Sequence, residues 1–376
     1  MAKRGQFPDL MPDPDRGWSR ELLTVGKARV YPPTREGVFQ QCGVTTAAGE
    51  PVIESMTWRG LKPHTLHVQQ PPEIEARIGG RHLYAGQYFQ HFGHFVTEST
   101  ARLWAARRPE LDGIIFIGKH VGRQTFGGYQ KAFLDLLGVS LPVHIVHAPS
   151  EVEELVIPGS GFGLGPIARG TPEFRDFVSE ALAGIAPEGE ERIYISRTRA
   201  GGKGRVLLEE RIEANMARSG YAIYHPQEHG LAEQFAQYKA ATHIVGLDGS
   251  AFHMVGFVAR PEQRIAMILR RNSEVYYNLF RQIEGFSGRA PDILNVLVND
   301  WVKPRIGRPN RESWGEVDHS ALAERLRLLG YVDGAWEVPT GADMAQAIAA
   351  MNRRMRMEMA AKPVVMRVDD ALRGTF

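Results

Sequence analysis

Residues 192–258 alternate short β-branched or aromatic runs with helical periodicity, and this repeated switch of period restricts the fold more than any other feature of the chain. Residues 192–196 have the make-up of a strand. Leu208, Ile212 and Met216 then recur at i, i+4 and i+8, and Gly220 stands where a helix C-terminus favours a left-handed residue. A strand over 221–224, a helix marked by Leu231, Phe235 and Tyr238, a strand over 243–247, a helix over 250–258 and a strand over 264–269 complete the run. Such a βαβαβαβ order implies a parallel sheet whose ligands bind beyond the carboxyl ends of its strands.

Two of those ends carry anion-binding chemistry. The strand at 192–196 empties into Ser196, Arg197, Thr198 and Arg199, two glycines, Lys203, Gly204 and Arg205, four cations on a loop whose glycines let the backbone approach a ligand. The strand at 243–247 empties into Asp248, Gly249 and Ser250 and then a helix, whose first N–H groups and dipole favour a phosphate. Either piece alone could be a solvated loop or an ordinary turn. Together, on neighbouring crests of one sheet, they describe a diphosphate cradle in which the arginines dominate, since a charge-assisted hydrogen bond contributes about 1.5–3 kcal/mol.

The pattern Ile195-Ser196-Arg197, then Arg205, Glu209, Leu231, Glu233-Gln234, Gly246, Gly249 and Ala251 resembles glycosyltransferase family 61. The resemblance covers roughly residues 80–285. It implies an α/β fold of the GT-B-like kind, two Rossmann-like lobes facing a cleft; the residues outside it add N-terminal β-strands and a C-terminal helical extension that matches nothing in the family. It also implies a nucleotide-sugar donor, UDP-linked, and a glycan or glycoconjugate hydroxyl as acceptor; no cofactor is expected, and no metal, because the fixed cations and the helix dipole would take its place. A member of bacterial polysaccharide type is expected. Where the family usually has His before the Gly, this chain has Asp248, a carboxylate that would repel a diphosphate unless it caps the helix, binds a sugar hydroxyl or meets a cation.

The expected divisions are a flexible arm over 1–18, an acceptor-side lobe over 19–160, a donor lobe over 161–290 and the extension over 291–376. Short β-prone pieces at 28–31, 37–40 and 51–53 lead into the first lobe. The glycine-rich stretch 158–166 is the expected hinge between lobes. After a strand near 81–84, residues 91–104 are read as one helix, with Phe92, Val96, Ser99 and Leu103 on an apolar face and His91, His94, Glu98 and Arg102 on a polar one. By likeness to the family's His-x-x-x-acidic spacing, Glu98 becomes the candidate general base, with His94 either orienting it or serving as base itself. A loop at 118–123, holding Lys119 and Arg123, could close over substrate. Tyr224, Glu228 and Gln234 are nucleoside or ribose candidates.

A second class of function is open on the same residues: a metal-dependent hydrolase with His91, His94 and Glu98 as ligands. A third is a non-catalytic nucleotide- or carbohydrate-binding module. Near-balanced charge, 45 basic against 43 acidic residues, argues against a nucleic-acid surface. The single cysteine, Cys42, requires no oxidising compartment, and no apolar run of about 18 residues occurs, so a cytoplasmic protein is expected. The helix over 344–359 places Ala342, Ala345, Ile348, Met351 and Met355 on one side near Arg353, Arg354 and Arg356. It could dock on the inner face of a membrane or on a partner, oligomers included, or pack its apolar side into the core.

Overall fold

The computed structural model describes residues 10–60, 62–200 and 204–364, and its described chain divides into two compact units. Residues up to Ile185 form the first, to which residues 256–258 and 281–286 also belong; the remainder forms the second. Lys203 lies outside the described residues.

The first unit is built on a six-stranded mixed sheet. Its strands are β1 (Leu22–Tyr31), β2 (Gly43–Thr45), β3 (Ala76–Tyr88), β4 (Gly113–Gly118), β5 (Val143–Val146) and β6 (Ser150–Pro158), in the order β2-β1-β6-β3-β4-β5. β6, β3, β4 and β5 run parallel, while β1 pairs antiparallel with both β6 and β2. β4 reads GIIFIG and is buried from end to end, as a central parallel strand covered on both faces must be. Val30, Val44, Tyr84, Ile115, Ile117, Val152, Leu155 and Ile157 form the core of one face. Helix α1 (Tyr129–Leu136) ends just before Gly138, whose φ of +68° closes it. Helix α2 (Pro172–Leu182) starts at Thr171, whose hydroxyl accepts the Phe174 N–H.

Three expectations for this unit are corrected. The pieces at 37–40 and 51–53 add no strand to this sheet beyond a single bridge: Gln40–Gln41 pairs in parallel with Thr65–Leu66, Pro51 bridges to Thr45, and Ile53–Ser55 is a 3₁₀ turn. Residues 10–18 are not a free arm: the Trp18 indole donates to the Leu10 carbonyl, Ser19 is buried, and Arg20 next to them pairs with Glu173 at 2.7 Å. The stretch 158–166 is packed within the unit, and the compact units divide after Ile185 instead. Phe162 is buried and stacks on Phe174 at 4.9 Å, with Phe257 and Phe286 around it. Its glycines permit close approach: a Cβ on Gly159 would run into the Trp18 and Ser19 backbone.

The second unit contains the β/α run. Strands β7 (Arg192–Ile195), β8 (Ala222–Tyr224), β9 (His243–Leu247), β10 (Arg264–Ile268) and β11 (Asp292–Leu294) form an all-parallel sheet in the order β8-β7-β9-β10-β11. The helices between them are α3 (Glu209–Arg218), α4 (Leu231–Ala240), α5 (Ala251–Val258) and α6 (Tyr276–Ser287). Strand β8, second in sequence, lies outside β7, so the order reverses between β7 and β9. That reversal opens a crevice beyond the carboxyl ends of these two strands, where doubly wound sheets bind nucleotides.

The segment expected as a helical extension is mixed. Strands β12 (Leu297–Val302), β13 (Trp314–Val317) and β14 (Ala360–Pro363) make an antiparallel sheet in the order β13-β12-β14, with helices α7 (His319–Leu328) and α8 (Gly341–Met355). Leu322, Leu326 and Tyr331 join Tyr194, Ile212, Val245 and Ile268 in one core, so this region completes the donor-side unit instead of standing apart from it. Met351 and Met359 pack with Leu207, flanked by Trp301, Trp314, Ile348 and Met355, which makes the apolar side of α8 a core face. Ala342 and Ala345, expected on that side, are exposed.

Candidate functional site

The crevice between β7 and β9 brings together the residues that the sequence placed on neighbouring crests. Arg197 leaves the end of β7 and its guanidinium reaches the turn after β9: Nη1 would stand 2.8 Å from a Cβ on Gly249. A side chain at 249 would displace the guanidinium from this position. Arg197 is pushed down to about 10 by burial and by the neighbouring Arg270, against the pull of Glu209 and Asp248, and its Nε is buried without a partner. A buried guanidinium that is not fully paired holds unused capacity for an anion. Ser250 precedes α5 and makes no side-chain cap; the Phe252 and His253 N–H groups bond to the Gly249 and Ser250 carbonyls.

Arg270, two residues beyond the end of the next strand along the sheet, was not singled out from the sequence as a site residue. Its Nε donates to the Asp248 carbonyl at 2.7 Å, its own N–H to Asp248 Oδ1 at 2.7 Å, and its Nη1 is buried without a partner. This answers the question raised by Asp248. The carboxylate meets a cation, 3.7 Å from Arg270 Nε, and does not cap the helix. The only signal in the sequence was position, since Arg270 follows β10 at the same sheet edge.

Other predicted donor residues fall differently. Ser196 is buried and its hydroxyl donates to Glu213 while accepting the Thr198 N–H, so it shapes the loop. Arg205 donates from Nη1 and Nη2 to the Thr198 and Ala200 carbonyls, each at 2.8 Å, closing the loop on itself. Glu209, the first residue of α3, accepts the Arg197 N–H at 2.7 Å. Burial outweighs that hydrogen bond and the charge of Arg197, and pushes its carboxyl up to about 7. The nucleoside candidates are already engaged. The Tyr224 ring is stacked on His229 at 4.6 Å, Glu228 pairs with Arg199, and the Gln234 amide donates to the Pro226 and His229 carbonyls.

In the first unit, residues 91–104 are not one regular helix. A single α-turn (Phe92–His94) passes into a π-helical turn (Phe95–Ser99) and then a 3₁₀ turn (Leu103–Ala105). The wider turn breaks the 100° stripe, and π-turns of this kind are frequent at functional sites. Of the residues read as a polar face, Glu98 and Arg102 are buried, His94 is half-buried and His91 is exposed. Arg102 is buried and donates to the Pro158, Glu54 and Met56 carbonyls.

Glu98 is held between two partners. Arg59 donates to its Oε1 and Oε2 at 2.8–3.0 Å, and His94 Nδ1 lies 2.6 Å from Oε2. Burial drives the carboxyl up, but the His94 hydrogen bond and the Arg59 charge together outweigh it and hold it below its ordinary value. An ionised carboxylate only accepts, so Nδ1 carries a proton, and in the neutral imidazole the free acceptor is Nε2. With side chains 2% and 38% exposed respectively, Glu98 stands behind and the imidazole in front. Arg59 lies 39 residues upstream in an antiparallel pairing of Trp58–Arg59 with Lys62–Pro63, and no local pattern announces it. It also bears on the hydrolase reading: the guanidinium takes the place a cation would hold at Glu98, and the described residues hold no group of three or more metal-ligating side chains.

Residues 92–266 match the family model described as Glycosyltransferase 61. This region belongs to glycosyltransferase family 61. The protein is accordingly a glycosyltransferase, as the resemblance implied. The matched stretch, a little under half of the chain, contains His94, Glu98, Arg197 and the turn at Gly249. Arg59 and Arg270, which complete the two clusters, lie outside the family 61 region. No curated protein matches the chain.

Proposed function

We propose that this glycosyltransferase moves a sugar from a nucleoside diphosphate donor, UDP-linked by family likeness, to a glycan or glycoconjugate hydroxyl, with inversion and without a metal. In this reading Arg197, Arg270 and the start of α5 hold the diphosphate and stabilise its charge as the glycosidic bond breaks. The acceptor's proton passes to His94 Nε2, and Glu98 holds the imidazole in that tautomer and stabilises its charge. The acceptor oxygen attacks the anomeric carbon opposite the leaving group. The two units would act as the acceptor and donor lobes of a GT-B arrangement, and fixed cations would take the part that a divalent metal plays elsewhere.

The observation that carries the reading is the approach of the Arg197 guanidinium to Gly249 at the switch point of a parallel sheet. Arg197→Ala should abolish transfer, measured across a panel of nucleotide sugars with product analysis by nuclear magnetic resonance, while the thermal midpoint stays within a few degrees. Turnover at the wild-type rate by that variant would remove the cradle. Synthesis of a bacterial surface polysaccharide at the cytoplasmic face of a membrane suits such a donor; among the described residues no helix is long and apolar enough to cross one.

A further inference from the structure

A cavity of about 400 Å³ lies in the second unit where the loop after β7 enters α3, lined by Arg205, Glu209, Trp314, Gln346, Ala350 and Arg354 among others. We propose that it receives the nucleoside of the donor, with Trp314 and the arginines beside it forming the base and ribose subsite. The inference rests on the donor reading above and assigns the nucleoside to a cavity half of whose lining residues, Trp314 and Arg354 among them, lie beyond the family 61 region.

Position argues first. Glu209 joins the cavity to the cradle, because this lining residue also accepts the Arg197 N–H with its carboxylate at 2.7 Å. A nucleotide whose phosphates lie at the β7/β9 crevice can therefore extend along the same crest into this space, whose volume falls within the range of about 300–1,000 Å³ usual for small-molecule sites.

The chemistry of the lining argues second. Trp314 is only partly buried, and Leu207 and Met351 give the cavity an apolar floor, a surface suited to a planar ring. The Arg205 and Arg354 guanidiniums lie 5.8 and 5.9 Å from the Trp314 ring centre, and neither forms an ion pair among the described residues. Both favour a ligand carrying negative charge at one end. Glu209 is 2% exposed and its Oε2 is buried without a partner, leaving a polar atom to meet a base N–H or a ribose hydroxyl. Leu208 is held at φ +59° immediately before it, a strained conformation for a branched residue that fixes where the carboxyl enters. The competing location beside Tyr224 is closed by the stack on His229 and by the engaged Gln234 amide.

The test uses the full chain and measures affinities for UDP, GDP and inorganic pyrophosphate by calorimetry. Ala350, on the exposed side of α8, allows the cavity to be filled without disturbing the core. Ala350→Trp should weaken binding of the preferred nucleotide by about 10- to 100-fold, the range of one lost base–aromatic contact, and leave pyrophosphate binding unchanged. Trp314→Leu should show the same split by a different route. Nucleotide binding by Ala350→Trp at wild-type strength would overturn the assignment while the cradle stands. Equal weakening of nucleotide and pyrophosphate would overturn it too, as would a wild-type protein that binds neither nucleotide more tightly than pyrophosphate. A wild-type protein that binds none of the three would bring down the donor reading itself.

Discussion

Replacing Glu209 by Gln offers the most quantitative check on the buried electrostatics of the donor-side unit. In the folded chain burial, only partly opposed by the Arg197 N–H and charge, moves this carboxyl from its ordinary 4.5 to about 7. Between those two values the folded state binds a proton that the unfolded chain has released, so stability falls as pH rises through the window and levels off above it. At 1.36 kcal/mol for each pH unit between the two values, the loss attributable to Glu209 is about 3 kcal/mol. The amide of Gln cannot ionise, yet its carbonyl can still accept the Arg197 N–H. The variant and the wild type should therefore have similar stability near pH 4.5, and the variant should be about 3 kcal/mol more stable at pH 8. Urea unfolding of both proteins at several pH values, followed by tryptophan fluorescence and circular dichroism, gives this difference directly. Asp300, also pushed up by burial to about 6, is common to both proteins and cancels in the comparison. Parallel stability–pH curves for the two would show that Glu209 ionises normally and would refute the account of its burial.

Two further outcomes follow from particular contacts. Gly249→Ala places a methyl group 2.8 Å from the present Arg197 Nη1, so the guanidinium must move; pyrophosphate affinity should fall on the order of tenfold with little change in thermal midpoint, and unchanged affinity would separate Arg197 from the cradle. Arg59→Ala leaves the buried Glu98 carboxylate without its guanidinium, which should cost on the order of 3 kcal/mol of stability near neutral pH. Since Glu98 is held below its ordinary value, its stabilising share is present above about pH 4.5 and lost as pH falls through its folded value. Acid titration of unfolding should accordingly show a smaller loss for Arg59→Ala than for the wild type, and equal losses would mean that the pair contributes nothing.

What the sequence by itself determined is the local part of this design. The switches of period between 192 and 268, the turn at Gly220 and the cap at Thr171 each depend on neighbours a few residues apart, and β7 to β10 with α3 to α5 form where that periodicity indicates. Such units set which residues end a strand, so Arg197 and Gly249 both fall at carboxyl crests of one parallel sheet, while the order β8-β7-β9 that makes them neighbours belongs to the tertiary structure. The His94–Glu98 spacing was legible for the same reason, one helical turn. Tertiary structure alone decided how those groups are held. Arg59 reaches Glu98 across 39 residues, Arg270 reaches Asp248 across 22, and Trp314 and Arg354 arrive at the loop after β7 from segments more than 100 residues away. Hydrophobic period carries no information about such pairings, because a charged side chain looks alike in sequence whether it faces water or a buried partner. The polar stripe read along 91–104 shows the consequence: its Glu98 and Arg102 are buried, since a π-turn and distant carbonyls and guanidiniums supply what solvent would otherwise have given.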